Sequence, residues 1–178
     1  VSRGLGDVYK RQGFIFESKG SMCYFKNDCN LFYILALMNT KVVDSMLKIL
    51  APTLDYHEGP MSKVPVVIDL EQKDLIDERA KECIDICKLD WDSFETSWDF
   101  KHHPLLRKVP TIAEAFDQWQ AECDSRFNQL KANEEELNLI FIDIYGLQEE
   151  LTPEVEDKDV TVRKADLSSC LLYTSPSP

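Results

Sequence analysis

Apolar side chains recur every three or four residues along three stretches of this chain, and two short stretches read as strands. Leu31, Leu35, Met38, Val42, Met46 and Ile49 form a helical stripe, which Ile34 and Leu37 widen. The pattern predicts one long, mostly buried helix over about 31–50, capped by Asp28 or Asn30 and ended by Pro52. Asn39-Thr40-Lys41 is a polar notch within it. Leu70, Leu75, Ile76, Ala80, Cys83, Ile84 and Cys87 predict a second helix over 70–88. Ala113, Phe116, Trp119, Cys123, Phe127 and Leu130 predict a third over 112–131. Asn133 then reads as the cap of a further helix, with acids in its first turn, that stops at Gly146. A short helix is expected to begin at Thr152-Pro153. In "GFIFESKGSMCYF" (13–25), Phe14 and Phe16 share one face and Ile15 and Glu17 the other, which predicts a hairpin or bent strand pair around Gly20. "VPVVI" (64–68), after Gly59-Pro60, predicts a short strand. The fold class expected is α+β, mainly α, with a small β element and an apolar helix followed by a helical C-terminal region.

The stretch "LDWDSFETSWDF" (89–100) mixes aromatics and acids without glycine or proline. Trp91, Phe94 and Trp98 are spaced at i, i+3 and i+7, a helical stripe if the helix continues through them. Read that way, the rings bury as a structural clasp while Asp90, Asp92, Glu95 and Asp99 face water. Each fully buried aromatic would contribute roughly 2–3 kcal/mol through its apolar area.

Charge divides the chain. The net charge is −12 over 178 residues. Residues 13–69 hold five Lys/Arg against six Asp/Glu, net −1, whereas residues 70–169 hold twelve against twenty-five, net −13. Duplex DNA is itself densely anionic, so only the first region is suited to lie along phosphates. The two ends form an odd pair. One codon choice for residues 170–178 encodes residues 4–12 on its complementary strand. Residues 1–12 and 170–178 are therefore expected to be adapter-derived, and the chain between them an internal piece of a longer protein. The domains expected are 13–69 and 70–169.

No apolar run reaches membrane-spanning length. Six cysteines, one of them in the end segment, show no disulfide framework, which suggests reduced thiols and a cytoplasmic setting. Cys83 and Cys87 with His102 and His103 do not follow a zinc spacing, so no metal is expected. No phosphate loop, nucleophile elbow or metalloprotease helix occurs. His57 sits in a turn near Asp55 and Glu58, where a surface role is the plain reading. No catalytic residue is nominated.

Two longer patterns carry a resemblance. Met38-Asn39-Thr40-Lys41, followed by Gly59-Pro60-Met61-Ser62-Lys63-Val64-Pro65-Val66, is similar to the specificity region of DNA adenine methyltransferases with a TaqI-like C-terminal part. "DWDSFETSWDFKHHPLL" and "LKANEEELNLIFIDIYGLQEELTPEVEDKDVTVRKADL" resemble the region after the specificity domain in the PglX methyltransferases of type 1 BREX phage-defence systems. The resemblance implies a parent enzyme that moves a methyl group from S-adenosylmethionine to the exocyclic amine of adenine in double-stranded DNA. The target base must leave the duplex for that chemistry. The family's Asn-Pro-Pro-Tyr motif and cofactor loop are absent from this chain, so it is expected to bind no cofactor and to be inactive alone. Residues suited to approach DNA are Lys19, Ser21, Asn39, Thr40, Lys41, Tyr56 and Lys63, with Lys26 and Lys48 nearby in sequence. The alternative reading is a non-enzymatic acidic helical module that docks other phage-defence proteins, motivated by the charge of residues 70–169.

Overall fold

The computed structural model of the protein describes residues 30–51, 58–162 and 164. Five helices are formed: α1 (Leu31–Met38), α2 (Lys41–Leu50), α3 (Glu58–Met61), α4 (Lys73–Trp91) and α5 (Ile112–Tyr145). Among the described residues there is no strand, and no helix is long and apolar enough to cross a membrane. The architecture is thus mainly helical. The hairpin predicted for 13–25 lies outside the described residues.

The chain divides into two compact units. One contains the described residues up to Lys81 together with Glu135–Glu154. Its core is Tyr33, Leu37, Val42, Val43, Ile76, Phe141 and Ile142, each at most 2% exposed. Tyr33 meets Phe141 edge to face, with ring centroids 5.3 Å apart, a favoured aromatic geometry. The other unit contains Glu82–Glu134 and the described residues from Val155. Here Phe127 and Leu130 of α5 pack with Val155, Val160 and Val162, and Cys83, Ile86 and Cys87 of α4 lie against that cluster.

Three expectations are corrected. The helix predicted over 31–50 is two helices, broken at Asn39-Thr40. Thr40 takes an extended backbone, φ −91° and ψ 159°, and so starts a new helix instead of continuing the old one. The freed backbone groups find other partners, as described below, so the break leaves little unpaired. The two helices predicted on either side of Asn133 are one helix of 34 residues. Asn133 is 2% exposed inside it. Its Nδ2 donates to a Glu82 carboxylate oxygen at 3.0 Å and its Oδ1 accepts from Gln129 at 2.9 Å. A buried amide satisfied sideways does not interrupt the backbone ladder, which is why it resembles a cap in sequence alone. The helix expected at Thr152-Pro153 does not form, and the carbonyls of Pro153 and Glu154 serve side chains instead.

The stop at Gly146 holds. Gly146 has φ 68°. Its N–H donates to the Asp143 carbonyl at 3.2 Å and the Leu147 N–H to the Ile142 carbonyl at 3.0 Å. Those two bonds make a Schellman motif, whose left-handed residue favours glycine. At the start of α4, the Asp69 carboxylate accepts from the Glu71 and Gln72 amides at 2.8 and 3.2 Å. That side chain closes the turn leading into the helix, which begins at Lys73.

Candidate recognition site

The polar notch is built by a break in an apolar helix pair and held from a distant helix. Asn39 is exposed and its Nδ2 donates to the Leu35 carbonyl at 2.7 Å. Thr40 is 3% exposed. Its hydroxyl donates to the Leu37 carbonyl at 2.7 Å, which places it inside the junction. The Lys41 N–H donates to Asn138 Oδ1 of α5 at 2.9 Å. The Lys41 ammonium donates to the Glu154 carbonyl. Asn138 Nδ2 in turn donates to the Pro153 carbonyl at 3.3 Å. Asn138, 5% exposed, therefore brackets two chain segments with one side chain.

Lys63 is exposed on the turn after α3. Lys48 is exposed and pairs with Asp44 at 2.6 Å. Lys19, Ser21, Lys26, Tyr56 and His57 lie outside the described residues. The structure thus joins Asn39, Thr40 and Lys41 in one junction, where Asn39 is the member exposed to solvent.

The strand predicted over 64–68 does not form among the described residues, and residues 65–69 run as irregular chain. They are held by two phenols. The Tyr145 hydroxyl donates to the Pro65 carbonyl at 2.7 Å and accepts from the Val67 N–H at 3.2 Å. The Tyr33 hydroxyl donates to the Val67 carbonyl at 3.0 Å and accepts from the Asp69 N–H at 3.1 Å. Burial, the largest influence, raises the Tyr33 phenol above its ordinary range, so it stays protonated and able to donate. Neither tyrosine nor Asn138 was singled out from sequence. The available signal was a lone polar tip inside an apolar run, in "LFYIL" and "ELNLI".

The aromatic clasp is corrected. α4 ends at Trp91, and residues 92–100 are turns. Trp98 is 91% exposed and Trp91 43%, while Phe94 is half-buried. The acids and serines prevent a helical stripe here. Asp92 accepts from the Ser97 hydroxyl at 2.6 Å, Ser97 accepts from the Asp99 N–H at 3.1 Å, and Ser93 donates to the Asp90 carbonyl at 2.6 Å. Such side chains compete with the helix for backbone partners. Trp98→Ala is accordingly expected to change unfolding free energy by no more than about 0.5 kcal/mol, as read by urea denaturation.

Cys83 and Cys87 pack as small apolar residues. Burial, and secondarily the Glu134 charge, push both thiols up to about 12. Their acidity in the unfolded chain is near the free-thiol value, so between roughly pH 9 and 12 the unfolded state holds fewer protons than the folded one. Folded stability is fully present below that window and falls as pH rises through it, by up to about 1.4 kcal/mol per pH unit for each thiol. Denaturant unfolding from pH 8 to 10.5 should show this slope, reduced in Cys83→Ala. Among the described residues, no group of three His, Cys, Asp or Glu side chains could hold a metal ion. His103 instead accepts from the Leu105 N–H at 3.2 Å, with its ring 6.3 Å from that of Trp119.

No protein-family model matches the chain. It is 44% identical over 174 residues to the adenine-specific methyltransferase PglX of Lacticaseibacillus casei (strain Zhang), covering 94% of this chain. It is 32% identical over 155 residues to the adenine-specific methyltransferase BrxX of Escherichia coli O9:H4 (strain HS), covering 86% of this chain. The chain spans 14% of the length of the first relative and 12% of the second. Nearly all of this chain is therefore homologous to a segment of the PglX and BrxX adenine-specific methyltransferases.

Proposed function

We propose that this chain is the C-terminal portion of a BREX-type adenine-specific DNA methyltransferase. In that reading residues 13–69 close the DNA-recognition region and residues 70–169 support it. The observation that carries the reading is the 44% identity to PglX across 94% of the chain. Methyl transfer from S-adenosylmethionine to the adenine amine, and the cofactor itself, belong to parts of the parent that precede this segment. The segment alone is inactive, because it has no Asn-Pro-Pro-Tyr motif to hold an extruded base.

Charge supports the division of labour. Residues 13–69 are nearly neutral and 70–169 carry −13, so the first region is the one that can approach phosphates. Within it, exposed Asn39 suits a base edge, and exposed Lys63 suits a phosphate. Thr40 and Lys41 act behind Asn39, holding the junction that presents it.

The test uses the whole parent protein with the rest of its defence system in a bacterial host, and reads N6-methyladenine by single-molecule sequencing. Adenine methylation at a defined site is expected. Lys63→Ala should weaken DNA binding and lower its salt slope by about 1, while Asn39→Ala should relax sequence preference. The absence of methylated adenine, or a parent reading frame without Asn-Pro-Pro-Tyr, would refute the reading.

A further inference from the structure

Residues 65–69 present a hydrogen-bonding edge that nothing described fills. The bonds from Tyr145 and Tyr33 reach Pro65, Val67 and Asp69, every second residue. That two-residue period is the signature of extended backbone, in which successive residues turn their N–H and C=O groups to opposite edges. The groups of Val66 and Ile68 therefore face the other way. They make no hydrogen bond among the described residues. Val66 is 48% and Val67 45% exposed. An extended, β-branched run clamped along one edge and open along the other is a template for another strand. Pro65 stands at the start of the run, where its missing N–H costs no pairing.

We propose that this open edge is a strand-addition site and that residues 14–17 of the same chain, Phe-Ile-Phe-Glu, occupy it. Three observations choose that occupant. In an extended run its Phe14 and Phe16 share one face, while Glu17 falls on the other. The chain enters the described region at Asn30, just before α1, whose first turn carries Tyr33, one of the two clamps on residues 65–69. The residues between Glu17 and Asn30 can extend roughly 40 Å, ample to bring the strand alongside. Added there, the strand would pair the Val66 and Ile68 groups, with Phe14 and Phe16 on one face to cover exposed valine. The junction at Asn39 and the turn at Lys63 would then be fixed to one small sheet. This inference rests on the clamp geometry and is independent of the reaction of the parent protein.

Amide hydrogen exchange on the full chain tests it, with Val67 and Asp69 as internal references for the tyrosine-held edge. Val66 and Ile68 are expected to exchange on the order of tenfold or more slower than an unstructured peptide. Nuclear Overhauser contacts should link residues 14–17 to 65–69. Ile15→Pro and Phe16→Pro, made separately, cover both possible registers, because consecutive amides point to opposite edges. At least one should return Val66 and Ile68 to fast exchange. Fast exchange in the unaltered chain overturns the proposal. So does protection that rises with protein concentration and survives both proline variants, which would assign the edge to a second copy. The contacts are measured on the unaltered chain, so the proposal remains open to refutation even if a proline variant fails to fold.

Discussion

Phe141→Ala should lower unfolding free energy by about 3–5 kcal/mol, the range for deleting a buried aromatic ring. Phe141 is 0% exposed and stands edge to face with Tyr33, itself 0% exposed, at 5.3 Å. Truncation removes the apolar burial of one ring and the aromatic contact of the other, and leaves a cavity between α1 and α5. Tyr33 would then be free to tilt, and its hydroxyl is the clamp for Val67 and Asp69. The loss should therefore extend beyond stability to the order of residues 65–69, visible as faster exchange of the Asp69 amide. Phe141→Leu retains most of the volume and should cost less than about 1.5 kcal/mol. Urea denaturation followed by circular dichroism gives the values. A loss below about 1 kcal/mol for Phe141→Ala would remove this ring from the core account.

The helices were legible in the sequence because their apolar period is local. Trp119, Phe127 and Leu130 lie on the predicted stripe of α5 and are all buried, as are Ile76 and Ala80 on that of α4. Periodicity names a face and does not name what covers it. Leu70 at 79% and Ile49 at 82% exposure sit on predicted stripes with nothing described over them. The capping glycine was legible for the same local reason, since a left-handed residue after a helix selects Gly146.

The break at Thr40 was not legible. The partner that catches the Lys41 amide is Asn138, 97 residues away. Sequence showed the polar notch and not the distant amide that makes a break there favourable. The strand predicted for "VPVVI" fails on a related ground. The run is held in an alternating pattern, but by tyrosine hydroxyls on one edge instead of a neighbouring strand. The aromatic spacing of Trp91, Phe94 and Trp98 misled because the period was real while the helix beneath it was absent. Asp92 and Ser97 spend their hydrogen bonds on turns there. For the candidate site, the Asn-Thr-Lys element was readable as a motif, and the family resemblance agreed with the similarity to PglX. The bracket behind the motif was invisible in one dimension.

Removing the Asn138 bracket should cost about 2–4 kcal/mol, because Asn138→Ala strands two polar groups at once. The Lys41 N–H loses its acceptor at 2.9 Å and the Pro153 carbonyl loses its donor at 3.3 Å. Both sit beside a side chain that is 5% exposed, so water does not readily replace it. Asn138→Asp separates the two roles. A carboxylate still accepts from the Lys41 N–H, but places a negative charge against the Pro153 carbonyl. Protonated, the same side chain can donate to that carbonyl. Its folded acidity is therefore expected above the unfolded value of about 3.9, so the variant is most stable at low pH and loses stability as pH rises past the unfolded value. The gap between Asn138→Asp and the parent chain in denaturant unfolding should widen from pH 4 to pH 7, while that of Asn138→Ala stays nearly constant. A pH-independent gap for the aspartate variant would mean that the donor side of the bracket carries no weight. An alanine variant within about 0.5 kcal/mol of the parent would mean the same of both sides, leaving the break at Thr40 to the Leu37 carbonyl and the extended backbone alone.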